Sequence, residues 1–217
     1  MKARTRPAPA GGFTLAEAVL SAAFLSSLLL VAGLATDRCF SLFRQQRASQ
    51  TLSATAYRLL HRVTSEVVGA RRASCLPSTV ETQGSSSLSF QRSLGVDDGA
   101  VNWSPVTTLR WELETGELDD DRDNNGNGLV DEGQLVWIER EGTPEERRVV
   151  LGHGLVEFLS GETFDGADED GDGLIDERGL CFSLAGNVLT IRIGVEEVAP
   201  GGQVLQKHVE TSVYLRN

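Results

Sequence analysis

The chain begins with one long apolar run and ends in short alternating runs. Residues 18–35 (AVLSAAFLSSLLLVAGLA) carry no charge, and this length is typical of a membrane span. After this run, apolar residues recur every three or four positions up to Val67, with no proline between Pro9 and Pro77. The pattern predicts a continuous helix with an apolar first half and an amphipathic second half, which ends near Gly69.

After Cys75 the apolar residues alternate in short runs that glycine and proline separate. The clearest runs are TLRWEL (108–113), VLTIRIGV (188–195) and HVETSVYL (208–215). Weaker candidates are LVWIER, RRVVLG, LVEFLS and LCFSL, with turns at AGN (185–187) and APGG (199–202). These runs predict an antiparallel sheet that packs on the amphipathic half of the helix, so the expected fold class is α+β.

Charge is unevenly distributed along the 217 residues, whose formal net charge is −11. Residues 73–217 hold 10 basic and 28 acidic side chains, so nucleic acid is not an expected partner of this part. Residues 37–72 hold seven arginines, which form either a solvated helix face or a basic surface facing acidic neighbours. Enzyme signatures are weak, because the sequence has no nucleophile elbow, no phosphate-binding loop and no paired histidines, and we expect no enzyme.

Glu17 places a carboxylate at the start of the apolar run, where it is costly in lipid. A cleaved signal peptide or a plain membrane anchor would fit the run but would not explain Glu17. The leader MKARTRPAPAGG, followed by Phe13, Thr14, Leu15, Ala16 and Glu17, resembles the N-terminus of type IV prepilins and type II secretion pseudopilins. Ala16 and Ala18 replace the bulkier aliphatic residues common there.

This resemblance implies that a prepilin peptidase cuts after Gly12 and methylates Phe13. Glu17 would then pair with the terminal amine of an adjacent pilin or pseudopilin in a filament. The implied segments are a leader (1–12), a transmembrane helix (13–35), a stalk helix (36–70) and a β-rich head (71–217). The precursor would lie in the bacterial inner membrane with its head in the periplasm, and then join a pilus or pseudopilus.

The closing TSVYLRN resembles the end of larger minor pilins such as the PilW type and the J subunit of type II secretion. The expected function is a minor pilin or pseudopilin that joins or primes the filament. Its place is expected near the tip, because the head is larger than a simple major pilin needs. The alternative is a membrane-anchored, calcium-dependent adhesin or binding module that does not polymerise.

Two acidic stretches, 119–133 and 165–179, are copies of one element. Oxygen-bearing side chains alternate before a glycine, an apolar residue and a further pair of carboxylates, a spacing that suits Ca²⁺. It resembles the first nine positions of an EF-hand loop, as in dockerin-like and thrombospondin-type calcium repeats. The predicted ligands are Asp120, Asp123, Asn125, Asn127, Leu129 (carbonyl), Asp131 and Glu132 in the first copy, and Asp165, Asp168, Asp170, Asp172, Leu174 (carbonyl), Asp176 and Glu177 in the second.

The twelfth EF-hand position, normally glutamate, is Gln134 in one copy and Gly179 in the other. The candidates to replace it are Asp131 with Glu132 in the first copy and Asp176 with Glu177 in the second, or a ligand from elsewhere in the chain. Solvated acidic turns without metal are the alternative. Cys75 and Cys181 both fall in the head, where a disulfide is plausible for an exported protein, although two buried thiols would also fit. Cys39 has no assigned role.

Overall fold

The computed structural model describes residues 14–77, 84–159 and 161–215. Two compact units divide the chain, Met1–Gln46 and Arg47–Asn217. The predicted processing residues Gly12 and Phe13 lie outside the described residues.

A single α-helix, α1, runs over Leu15–Val67, close to the predicted bounds. Its N-terminal part is apolar, and the 18-residue segment that could cross a membrane has no buried residue. A membrane anchor and a signal sequence both satisfy this criterion of length and composition. The second part of α1 buries one stripe against the sheet, and its members are Leu52, Ala56, Leu59, Leu60, Val63 and Val67.

The sheet is antiparallel throughout, which agrees with the predicted α+β class. A short 3₁₀ turn, Arg72–Ser74, follows the helix. The strands are β1 Ser87–Phe90, β2 Ser93–Asp97, β3 Ala100–Trp103, β4 Thr107–Leu113, β5 Gly133–Glu139, β6 Arg147–Leu155, β7 Leu180–Ala185, β8 Val188–Val198 and β9 Val204–Tyr214.

Seven of these strands form the main sheet in the order β1-β4-β5-β6-β8-β7, with β9 on β8, and β2 pairs only with β3. Strand β8 pairs with β9 along its whole length, from Val188↔Tyr214 to Val198↔Val204. On β8, Val188–Ile193 pair with β7, while Val195 alone pairs with Leu155 of β6. The segment that leaves β6 after Leu155 and returns at β7 contains the second acidic stretch.

Helix stripe and sheet share one hydrophobic core, which includes Phe90, Leu109, Leu135, Ile191 and Leu215. Gly152 on β6 is where the helix comes closest to this strand: an added Cβ would lie 2.4 Å from Cδ2 of Leu59. The absence of a side chain at this position therefore sets the helix-to-sheet distance.

One predicted strand is wrong, and three strands were missed. The run LVEFLS contributes only Leu155 to a strand, since Phe158 makes a single bridge to Arg178. The carbonyl of Val156 accepts a hydrogen bond from the side chain of Trp111 (Nε1, 3.2 Å), and its N–H donates to the carbonyl of Gly194 (3.1 Å). The missed strands β1, β2 and β3 are short and rich in serine, glycine and alanine, so their alternation is weak.

Candidate functional site: two acidic loops and the start of the helix

The first acidic loop connects β4 to β5, and its carboxylates fold back on their own backbone. Asp123 accepts hydrogen bonds from the backbone N–H groups of Gly126 (2.6 Å) and Gly128 (2.9 Å). Asp131 accepts from the N–H groups of Asp120 (3.3 Å) and Asp121 (2.8 Å), at the opposite end of the loop. The loop is thus closed on itself by the carboxylates expected to face a cation.

The second acidic loop, between β6 and β7, has the same bonds. Asp168 accepts from the N–H groups of Gly171 (2.6 Å) and Gly173 (3.0 Å). Asp176 accepts from the N–H groups of Asp165 and Gly166, both at 3.0 Å. The two predicted copies therefore share a conformation as well as a spacing.

Backbone geometry supports this equivalence. Gly128 and Gly173 have φ values of +89° and +91°, in the region that favours glycine. Asp131 and Asp176 have φ values of +52° and +55°, which are unusual for a residue with a side chain. The remaining side chains at alternating positions also match: Asn125 and Asn127 accept from the N–H two residues on, as Asp170 and Asp172 do.

Two glutamates that sequence analysis did not assign also belong to the loops. Glu117 accepts hydrogen bonds from the N–H groups of Asn124 and Asn125, and Glu162 accepts from those of Glu169, Asp170 and Asp176. Both carboxylates are buried, with 6% and 4% of the residue exposed. A signal for them was present, because the pair Gly-Glu precedes both stretches at the same spacing (116–117 and 161–162).

One acidic group has the geometry to hold a metal ion. Carboxylate oxygens of Glu162, Asp168 and Asp170 all lie within 4.8 Å of one another. Three oxygens at this spacing can converge on one hard cation, which prefers such ligands. In contrast, the predicted ligands Asp120 and Asp165 make local bonds, to Asn124 Nδ2 (2.7 Å) and to the N–H of Ala167 (2.9 Å).

Glu132 and Glu177 are buried carboxylates with unused oxygens. They are 0% and 2% exposed, and Oε2 of each has no hydrogen-bond partner among the described residues. Oε1 of Glu132 accepts from Asn125 Nδ2 (2.7 Å) and Asn127 Nδ2 (2.6 Å), so this carboxylate faces the middle of the first loop. A buried carboxylate oxygen without a donor is costly, and a cation would remove that cost.

The twelfth EF-hand position supplies no carboxylate in either copy. Gln134 lies in β5 and donates from Nε2 to the carbonyl of Leu113 (3.2 Å). Gly179 pairs through its backbone with Glu157 and Gly194. Gln134 is therefore part of the sheet and Gly179 is held beside it by backbone bonds, so Glu132 and Glu177 are the acidic side chains nearest to these two positions.

Burial and the neighbouring charge of Asp172 raise the pKa of Glu177 to about 7. Arg192 on β8 approaches both carboxylates, with Nη2 2.8 Å from Asp172 Oδ2 and Nη1 3.8 Å from Glu177 Oε1. Its Nε also lies 3.3 Å from Glu210 Oε2 on β9. Arg192 therefore fastens the second loop to the sheet and partly neutralises it.

Trp111 on β4 contacts the ends of both loops. A Cβ on Gly133, at the end of the first loop, would lie 2.0 Å from Trp111 Nε1. The guanidinium of Arg178, which follows the second loop, stacks 4.6 Å from the centroid of the same ring. The Trp111 indole therefore contacts residues at the ends of both loops.

At the start of α1, Glu17 caps its own helix. Its Oε2 accepts from the backbone N–H of Thr14 (2.9 Å) and from Thr14 Oγ1 (2.8 Å). A carboxylate in a first turn satisfies amide groups that the helix leaves unpaired, and it interacts well with the helix dipole. Both bonds use one oxygen, so the second oxygen, Oε1, is not needed for capping.

The expected disulfide between Cys75 and Cys181 is not formed: both are free thiols. Cys75 belongs to the main core and donates to the carbonyl of Arg71 (3.4 Å), whereas Cys181 packs with Val156, Leu159 and Leu174 in a second cluster. The two thiols therefore face different hydrophobic clusters. Burial raises the pKa of Cys75 and raises that of Cys181 to about 11.

Comparison of the chain with protein-family models, with curated proteins and with solved structures gives no match. The structure shows a long N-terminal helix with an apolar first half, an antiparallel sheet and an acidic group suited to a metal ion.

Proposed function

We propose that this chain is a minor subunit of a type IV pilus or a type II secretion pseudopilus, placed near the filament tip, with a head that two calcium ions stabilise. The observation that carries the proposal is Glu17, a carboxylate in the first turn of a helix whose first half is otherwise apolar and exposed, four residues after Phe13.

The exposed first half of α1 needs a covering that the described residues do not supply. Large apolar side chains stand in solvent on every side of it, with exposures such as 84% for Leu15, 69% for Phe24 and 61% for Leu34. A helix that is apolar on all sides is stable in lipid or among other helices. Membrane insertion followed by packing into a filament core would cover it in both stages.

Glu17 gives this packing a register. In lipid a carboxylate seeks a cation, and peptidase cleavage after Gly12 would create one on the N-terminus of each neighbouring subunit. Because Thr14 occupies only Oε2, the other oxygen is available to that amine. The pairing would align each new subunit with the subunit before it.

Calcium fits the loops through their donor chemistry. Glu162, Asp168 and Asp170 supply clustered oxygens, and Glu177 and Glu132 supply buried oxygens without donors. We propose one ion in each loop, with Glu132 and Glu177 in place of the absent twelfth-position glutamate. Affinity on the order of 10⁻⁵ to 10⁻³ M would fill the sites outside the cell but not in the cytoplasm, so calcium would complete folding after export.

Glu17→Ala tests the filament role. The variant should still be inserted and cleaved, because the peptidase signal is intact, but it should join purified filaments several-fold less efficiently than wild type. Asp37→Ala, which removes an exposed carboxylate from the same helix just after the apolar part, is the matched control and should assemble normally. Equal incorporation of the Glu17 variant and wild type would favour the non-polymerising adhesin instead.

Calorimetry tests the metal sites. The compact unit Arg47–Asn217, which contains the head, should bind about two Ca²⁺ ions and melt at a higher temperature with calcium than with chelator. Asp168→Asn with Asp170→Asn should remove one of the two binding events. An unchanged melting temperature with no binding heat at millimolar calcium would leave the loops as solvated acidic turns.

A further inference from the structure

A basic groove lies beside the helix in the Arg47–Asn217 unit. It encloses about 300 Å³ between the second half of α1 and the strands β5 and β6. Its apolar lining consists of Trp137, Val149 and Leu151. Its charged lining includes three arginines, Arg62, Arg92 and Arg147. We call this feature the β6 groove.

Strand β6, whose side chains line the groove, also has an open edge. Strand β6 pairs with β5 from Arg147 to Leu155, whereas toward β8 only Leu155 has a partner. Among the described residues, no strand pairs with the outer edge of β6 from Arg147 to Gly154. Such an edge presents unpaired backbone groups to any extended segment that approaches it.

The charge of the β6 groove is opposite to that of the whole chain. Glu66 is the one acidic residue in its lining, and it is already held by Arg92 (2.9 Å) and Arg62 (3.6 Å). Arg147 makes no ion pair with any described residue and is exposed. The groove thus has a net positive charge, although the chain has a net charge of −11.

The first acidic loop displays the complementary chemistry. Leu118 is 61% exposed and is followed at once by three exposed carboxylates, Asp119, Asp120 and Asp121. Asp119 has no role in the loop closure described above and is not among the proposed calcium ligands. The segment therefore offers one apolar side chain and a free carboxylate next to it.

We propose that the β6 groove binds residues 118–121 of a second copy of this chain. Leu118 would lie against Val149 and Leu151, and Asp119 would pair with Arg147. Because the groove and the loop are different surfaces, the contact is heterologous, and repetition of it extends an assembly instead of closing a dimer. The inference deepens the proposed function, since it names one lateral contact between subunits.

This contact is small and should be weak between free molecules, because stable interfaces bury about 800 Å² on each partner. Subunits that share a membrane or a filament raise one another's effective concentration, which makes a weak contact sufficient. Capture by a covalent cross-link is therefore a better assay than affinity in dilute solution.

Arg147→Lys places an amine in the groove of a chain whose only lysines are Lys2 and Lys207. The full-length variant is prepared in membranes from equal amounts of unlabelled and ¹⁵N-labelled protein, and treated with a carbodiimide that joins amines to carboxylates. Mass spectrometry should find mixed-isotope links between position 147 and Asp119, Asp120 or Asp121. Arg58→Lys, an exposed arginine on α1 outside the groove, is the control and should give no such link.

Charge exchange supplies the second test. Asp119→Arg in the Arg147→Lys background should reduce the 147-to-loop link at least tenfold. Chains that carry Arg147→Asp alone or Asp119→Arg alone should each assemble poorly, because the contact then joins like charges. A mixture of the two single variants should co-assemble, because each contact again joins opposite charges. Absence of the mixed-isotope link in filaments that contain the Arg147→Lys chain would overturn this contact while the filament role stands. The link without any filament would support the contact and count against the filament role.

Discussion

At the scale of single residues, the buried glutamates at the ends of the acidic loops are the most informative side chains. Glu132 and Glu177 are fully or almost fully buried, and each has an oxygen without a donor. The two glutamates occupy equivalent positions in the two loops. Burying their unpaired oxygens destabilises the metal-free protein, and a bound cation would offset this cost. The protonation of Glu177 should therefore affect the stability of the metal-free head.

Glu177 sets the direction of a pH effect in chelator. Its pKa is raised from 4.5 to about 7 in the folded state, so folding favours the protonated form. Its contribution is fully present below about pH 4.5 and is lost as the pH rises through about 7. We expect the metal-free head to melt at a higher temperature at pH 5.5 than at pH 8.

Glu177→Gln separates this effect from general repulsion among the acidic side chains. The amide cannot ionise, so the difference between the two melting temperatures should shrink in this variant. Glu197→Gln, an exposed carboxylate on β8, is the control and should keep the wild-type difference. A Glu177 variant with the full wild-type pH dependence would show that other carboxylates are responsible.

At the scale of elements, the contact between α1 and β6 depends on Gly152. A side chain there would overlap Leu59, whose Cδ2 lies 2.4 Å from the position of an added Cβ. We expect Gly152→Val to destabilise the head by about 1–3 kcal/mol, because the helix must move away from the sheet or Leu59 must change rotamer.

Urea unfolding of residues 47–217 measures this cost. Gly69→Ala is the matched control, since its Cβ would meet only Arg92 Cβ at 3.6 Å, an ordinary contact. Equal stability of the Gly152 variant and the control would mean that Leu59 reorients freely and that the helix position does not depend on this glycine.

Periodicity was sufficient for the elements that have one clear face. The stripe from Leu52 to Val67 predicted the buried side of α1, and the alternation in 188–195 and 208–215 predicted β8 and β9. It failed at β2 and β3, which are almost entirely exposed and so carry no burial pattern. It also failed after Leu155, where apolar residues continue but the described residues make only an isolated bridge, Phe158↔Arg178.

For the loops, spacing predicted the repeated conformation but not all of its members. Glu117 and Glu162 lie several residues before the alternating oxygens, and only the folded chain shows that they accept from the loop backbone. The cysteine pairing could not be read from sequence, because Cys75 and Cys181 face different clusters that residue spacing does not reveal.

At the scale of the whole molecule, the head concentrates negative charge at two places on one sheet. Residues 117–133 and 165–177 together carry 14 of the 31 acidic side chains. Without a cation, repulsion opposes the hydrogen bonds that close each loop. Trp111 and Arg192 hold the loop ends to the sheet, so we expect chelation to open the loops and leave the strands paired.

Limited proteolysis with an aspartate-specific protease checks this expectation. In chelator, cleavage should concentrate at Asp119–Asp123 and Asp165–Asp172, and millimolar calcium should slow it by tenfold or more. Magnesium at the same concentration is the control, because its smaller octahedral shell suits these loops less well. Cleavage of the strands at the same rate as the loops would indicate global unfolding instead.

The three free thiols differ in their accessibility to thiol reagents. Cys75 and Cys181 are each 1% exposed and have raised pKa values, so only a small fraction of either thiol is ionised at neutral pH. Cys39, in contrast, is exposed. A maleimide dye should therefore label the folded native chain once, at Cys39, and Cys39→Ser should abolish the signal. Because residue 39 lies four residues after the apolar segment, an environment-sensitive fluorophore there would test the proposed passage from lipid into an assembled fibre without an engineered cysteine.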